Sequence, residues 1–361
     1  MPPRLRARLG SLIMTVPAGI MGRGTGPKPW GKFMSYRLDP AMPMSAALRR
    51  VSFGELEIAH GALASPPELH SGVHSARKCL KRLRSMLLLI RPGMPEPVFS
   101  HLMEKLVAIA RGLAPVRDAQ ALIDAVNKLD GETESGPGDV PIQSLRGWLQ
   151  KRRQAAEQNL ERSAASDAMR ALLELRPAFA GLAVYPDDFT PLAEGLRLCY
   201  REARAAFRHA YASDRAEEMH DWRKGVQHHW RQMQLLTPCW PTELTARVDA
   251  ARSLSQTLGD DHDIAQLVQL VSTPTMTFGT PEEIDGFLKR CRKRQKVLRK
   301  QARGKGERLF AERPRPFAER IATYWQIAAA HAAKPVVVLR QDDARQDNVV
   351  AFGELRTPRA S

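Results

Sequence analysis

His74, Arg77 and Lys78 stand in the string VHSARKCLKRLR at 73–84, and His220, Arg223 and Lys224 stand in MHDWRKGVQHHW at 219–230, each 146 positions after its counterpart. With Lys81, Arg82 and Arg84, the first string places five cations in the eight residues 77–84 and no acid among them. The second adds His228, with Arg231 directly after the string, and has Gln227 where Lys81 would fall and Trp230 where Arg84 would fall. A guanidinium fork grips two phosphate oxygens at once, and an ammonium acts as a point charge. Like charges one helical turn apart repel by roughly 0.2–0.5 kcal/mol per pair, so a row without interleaved glutamate is best explained by an external anion. His74 and His220, set among cations, would strengthen phosphate binding on protonation as pH falls.

More rows of this kind follow. Nine cations lie between Lys289 and Arg303 without a carboxylate, among them Arg290, Lys293 and Arg294. Arg197, Arg201, Arg204 and Arg208 are relieved only by Glu194 and Glu202, and Arg117 precedes Asp118. The whole chain holds 55 Lys and Arg against 39 Asp and Glu, a formal charge of +16 over 361 residues. Such a surplus concentrates polyanions near the surface, which points to nucleic acid, acidic lipid or polymeric phosphate.

Catalytic chemistry is less well served. Asp260, Asp261, His262 and Asp263 form the one acidic string suited to a metal-dependent phosphoryl-transfer enzyme. It is expected to open a helix and to cap it, at roughly 1 kcal/mol per cap. Its counterpart, Pro115 to Asp118, keeps only one acid. Gly304-Lys305-Gly306 follows no strand, and no serine or cysteine nucleophile is read beside a plausible general base. No catalytic residue, metal or cofactor is therefore assigned, and the chain is read as a non-enzyme. Cys79, Cys199, Cys239 and Cys291 are far apart, which fits a reducing compartment. No basic helix face also carries large exposed apolar residues, so no membrane partner is expected.

These side chains need helices to hold them. Apolar residues recur at steps of three and four through most of 45–325. The stripe Val73, Ala76, Leu80, Leu83, Leu87 and Ile90 maps onto Met219, Trp222, Val226, His229, Met233 and Leu236. The same offset carries Pro92 to Pro238 and Pro95 to Pro241, while an offset of 145 carries Asp118 to Asp263. Three blocks in order indicate two copies of one unit. The spacing predicts helices over 45–64, 68–91, 95–130 (bent near Pro115) and 141–175, with counterparts in 190–325. The expected organisation is a basic extension without fold over 1–35, repeat one over 36–176, a linker over 177–191, repeat two over 192–325 and a tail over 326–361. The apolar run 9–21 is broken by Gly10, Pro17 and Gly19, which argues against a secretory leader.

Taken together, the His-x-x-Arg-Lys block at His74, Arg117-Asp118, the His-Asp-Trp-Arg-Lys block at 220–224, LGDDHD at 258–263 and the stretch 290–325 resemble the CHAD domain, the conserved histidine α-helical domain. The resemblance spans about 36–325. It implies an all-α fold of two tandem pseudo-symmetric four-helix bundles with a basic groove between them. It further implies binding of inorganic polyphosphate and association with polyphosphate granules in the cytoplasm. Carried over by position, the contacts are His74, Arg77, Lys78, Lys81, Arg82, His220, Arg223, Lys224 and His228. The charge rows add Arg84, Arg117, Arg197, Arg201, Arg204, Arg231, Arg290, Lys293 and Arg294. The rival binding reading is sequence-independent association with RNA or DNA, whose phosphates meet the same charges. Oligomeric state is left open.

Overall fold

A computed structural model describes residues 36–66, 69–131, 139–213, 215–273 and 278–333. The extension expected over 1–35 lies outside the described residues, as does the tail beyond 333. Among the described residues the regular structure is helical, with no strand. In chain order the helices are α1 (Met44–Ala64), α2 (Leu69–Ile90), α3 (Glu96–Gly112), α4 (Ala114–Gly131), α5 (Asp139–Asn159), α6 (Ala165–Glu174), α7 (Arg176–Ala180), α8 (Thr190–Ser213), α9 (Ala216–Leu236), α10 (Pro241–Val271), α11 (Pro281–Leu309) and α12 (Pro314–Ala332). A π-helical turn, Leu160–Ala164, joins α5 to α6 where one helix over 141–175 is expected. Similarly, α12 runs seven residues past the expected end at 325.

Equivalent positions end equivalent helices. α2 closes in a 3₁₀ turn at Arg91–Gly93 and α9 in one at Thr237–Cys239, with Pro92 and Pro238 at matching places. Proline at these sites has no N–H to donate to a carbonyl of the preceding turn, so the α-helix cannot continue past it. α11 starts with a capping box. The Glu283 N–H donates to Thr280 Oγ1 at 3.3 Å, and the Thr280 N–H donates to Glu283 Oε2 at 2.8 Å.

The two halves then diverge at one residue. Pro115 cannot donate to a carbonyl one turn earlier, so the chain breaks at Leu113 into α3 and α4. Its counterpart by the offset of 145 is Asp260, which can donate, and α10 continues unbroken for 31 residues. This corrects the reading of Asp260–Asp263 as a helix opening. These acids lie in the interior of α10 and cap nothing. Asp261 is 2% exposed and accepts from Arg299 Nε at 3.1 Å, and Asp260 meets Lys128 Nζ at 2.6 Å.

Apolar burial does not follow the repeat boundary. The larger cluster joins Leu48, Leu80 and Leu87 to Tyr200, Trp222, Met233 and Phe317, all fully buried. The smaller joins Val126 of α4 and Leu145 of α5 to Leu267 of α10 and Phe287 of α11. Each cluster draws on both halves, so neither half would retain its core alone. α2 and α8 approach closely at Gly195, where an added Cβ would strike the Leu89 carbonyl. Backbone cannot yield as a flexible side chain can. Gly195→Ala is therefore expected to cost roughly 1–3 kcal/mol or more, read as a lowered urea midpoint with an unchanged slope.

Candidate anion-binding cleft

α2 and α9 pack side by side through polar contacts. Ser85 Oγ lies 2.9 Å from His228 Nδ1, and Gln232 Nε2 donates to the Ser85 carbonyl at 3.3 Å. Together with α4 and α10, the pair encloses a cleft of about 610 Å³. Arg77, Lys78 and Lys81 enter it from α2, Arg117 and Lys128 from α4, Arg223 and Arg231 from α9, and Arg252 from α10. Against these eight cations stand three carboxylates, Asp124, Asp260 and Asp263. Asp260 is engaged by Lys128, and Asp124 lies 3.5 Å from Arg117. Lys78, Lys81 and Arg252 make no ion pair among the described residues. The Nε atoms of Arg77 and Arg223, at matching positions in the two halves, are buried without a hydrogen-bond partner. Such donors carry a desolvation cost that an entering oxyanion would remove.

Burial and mutual repulsion set the charge states. Burial, with Arg231, Arg77, Arg223 and Arg117 adding to it, brings the Lys81 ammonium down to about 7. Arg231 is brought down to about 10, again chiefly by burial. Burial pushes the Asp263 carboxyl up to about 6 despite Arg223 nearby. Partial burial and then Arg117 hold His74 below the ordinary histidine value, and burial with Lys224 does the same for His220. In the ligand-free protein both imidazoles thus protonate later on acidification than their type alone would suggest.

Seven of the residues singled out from sequence come together in this cleft: His74, Arg77, Lys78, Lys81, Arg117, Arg223 and Arg231. The others go elsewhere. His220 and Lys224 line a separate hollow of about 770 Å³, where the His220 and His262 rings stack at 4.4 Å. A hollow of about 340 Å³ beside the cleft is lined by His70, Ser71, His74, Arg117, Gln120 and Asp124. By the offsets of 146 and 145, every one of those six positions maps to a residue lining the larger hollow. His228 sits against Ser85, and burial drives its pKa down to about 3. Arg82 turns inward to Glu55 at 3.1 Å and lies over the Tyr36 ring, while Arg84 is half-buried with its Nε unpartnered.

The outlying rows do not reach the cleft. On α8, Arg197 pairs with Glu194, Arg201 is exposed, and Arg204 Nε donates to the Phe310 carbonyl at 2.9 Å. On α11, Arg290 and Lys293 lie outside the lining, and Arg294 borders a small hollow next to Lys128 and Asp260. Lys128 and Arg252 are the cleft cations that the sequence reading missed. Their signal was helical spacing: Lys128 follows Arg117 at eleven residues and Arg252 precedes Asp263 at eleven, three turns in each case.

Known proteins provide a further comparison. The model of the CHAD domain family matches residues 60–272, which runs from the end of α1 to the end of α10. The crystal structure of the CHAD domain from the plant Ricinus communis is similar at 17% identity over 84% of this chain and 97% of that one, with a TM-score of 0.47. No curated protein matches the chain. No helix among the described residues is long and apolar enough to cross a membrane.

Proposed function

The chain belongs to the CHAD domain family, and from that premise we propose that it binds inorganic polyphosphate, without transforming it, in the cleft between α2, α4, α9 and α10. One observation carries the reading: eight cations from both halves of the chain converge on one cleft that holds three carboxylates. A flexible string of phosphates supplies charge at close intervals and asks for no base recognition, which suits a mixture of Arg and Lys. The correspondence of the two histidine-bearing hollows supports a pseudo-symmetric pair of bundles with the cleft between them. The acids an enzyme would recruit are engaged separately, Asp260 with Lys128 and Asp261 with Arg299. On this reading the protein sits at polyphosphate granules.

A second reading has its own observation. Trp230 lines the cleft, with the guanidinium of Arg231 4.8 Å and that of Arg252 5.9 Å from its ring centre. An aromatic among cations is also how proteins hold single-stranded nucleic acid. Competition separates the two. Long-chain polyphosphate is expected to displace single-stranded RNA matched for charge, with both affinities falling steeply with salt. The reverse order of affinity assigns the cleft to RNA.

A further inference from the structure

We propose that Lys81 is a proton-linked grip: it holds its proton less tightly in the ligand-free cleft than when a phosphate chain fills it, so that capture of the anion above neutral pH draws a proton from solvent. The inference rests on the anion-binding reading of the cleft and concerns how that same site is regulated. Lys81 is half-buried on the α2 wall and makes no ion pair among the described residues. It faces Arg77 on its own helix, Arg117 on α4, and Arg223 and Arg231 on α9. His74 and Lys78 of α2, Lys128 of α4 and Arg252 of α10 complete the positive lining. The acids of the cleft are engaged elsewhere. Asp124 lies by Arg117, Asp260 holds Lys128, and Asp263 adjoins Arg223.

Crowding of this kind is relieved where a proton leaves most easily. A guanidinium keeps its proton at any ordinary pH, whereas an ammonium gives way first. Lys81 is the ammonium surrounded by four guanidiniums, and burial together with those neighbours brings it down to about 7. Burial remains, but an entering phosphate chain offsets the repulsion from the four guanidiniums, because it places negative charge among the same groups. The ammonium form is then restored. Between the ligand-free and the bound values, binding must take up a proton. The neutral amine thus allows the guanidiniums to pack closely before the ligand arrives.

Titration calorimetry of the full chain with long-chain polyphosphate at pH 8.5, in two buffers of different ionisation heat, tests this. At that pH His74, held below the ordinary histidine value, and Asp263, pushed up to about 6, have already lost their protons, which leaves Lys81 as the cleft group that takes one up. Close to one proton is expected to be taken up per cleft. Affinity should fall about tenfold per pH unit above 7. Lys81→Arg should bind with no uptake and a flat pH profile, and Lys81→Met should bind weakly with no uptake. Binding without proton uptake in the unaltered protein overturns the proposal, as does undiminished uptake in Lys81→Arg. If polyphosphate fails to bind at any pH while single-stranded RNA binds, the polyphosphate reading falls. The same uptake measured with RNA then decides Lys81. If neither polymer binds, both readings fall together.

Discussion

Replacing Lys78, Arg117 and Arg252 together with glutamate should weaken polyphosphate binding by roughly 10²–10⁴-fold and reduce the salt dependence by about one unit of slope per lost contact. The three side chains come from α2, α4 and α10, so the variant reverses charge on three walls of the cleft. None is needed by the fold. Lys78 and Arg252 are exposed and make no ion pair among the described residues, and Arg117 meets Asp124 at 3.5 Å. Arg77 is a poorer choice, because its Nη1 also donates to the Ala110 carbonyl. The informative control is Lys293, Lys296 and Lys300 to glutamate on α11. It changes net charge by the same amount outside the cleft. Filter binding should show the control within a few-fold of the unaltered protein. Equal losses in both variants would mean that the polymer follows overall charge and not this cleft.

Which parts of this arrangement were legible in the sequence follows from how local their causes are. A basic string at a fixed offset is a local fact, and it led to Arg77, Lys78 and Arg223 in the cleft. Pro92 and Pro238 likewise end their helices wherever the chain goes next. By contrast, whether a row of cations faces inward depends on how its helix is rolled against a neighbour, which spacing along one helix does not state. The nine cations of α11 and the four of α8 were counted alike with those of α2, yet they lie on other faces. The acidic string at 260–263 was misread for a related reason. Leu258-Gly259 resembles a break, but Gly259 is buried on α10 near the Arg223 guanidinium and serves close packing without ending the helix. The apolar stripe gave α2 and α9 their inward faces, but not that the core would be shared across the repeat boundary. That requires knowing which helices meet.

Arg82 shows how a cation from the basic string can serve the fold, and Arg82→Met separates the two roles. Glu55 is 1% exposed and depends on Arg82 as its ion-pair partner. Removing one member of such a buried pair leaves an uncompensated charge and typically costs about 3–5 kcal/mol. Thermal or urea unfolding should show that loss, while polyphosphate affinity per folded molecule stays within twofold. A large loss of affinity in the folded variant would return Arg82 to the ligand's contacts. The deficit must also depend on pH in a definite direction. Burial raises the Glu55 carboxyl above its ordinary value even with Arg82 present, and removing the guanidinium raises it further. A carboxyl with a raised folded pKa binds its proton more tightly in the folded state. Its stabilising contribution is full below the unfolded value and is lost as pH rises through the folded one. Arg82→Met should therefore be closest to the unaltered protein in mild acid and fall behind as pH approaches neutrality. Adding Glu55→Leu removes the stranded carboxyl, and the double variant should recover most of the loss and lose the pH dependence, because an apolar pair can fill this space without paying for a desolvated charge.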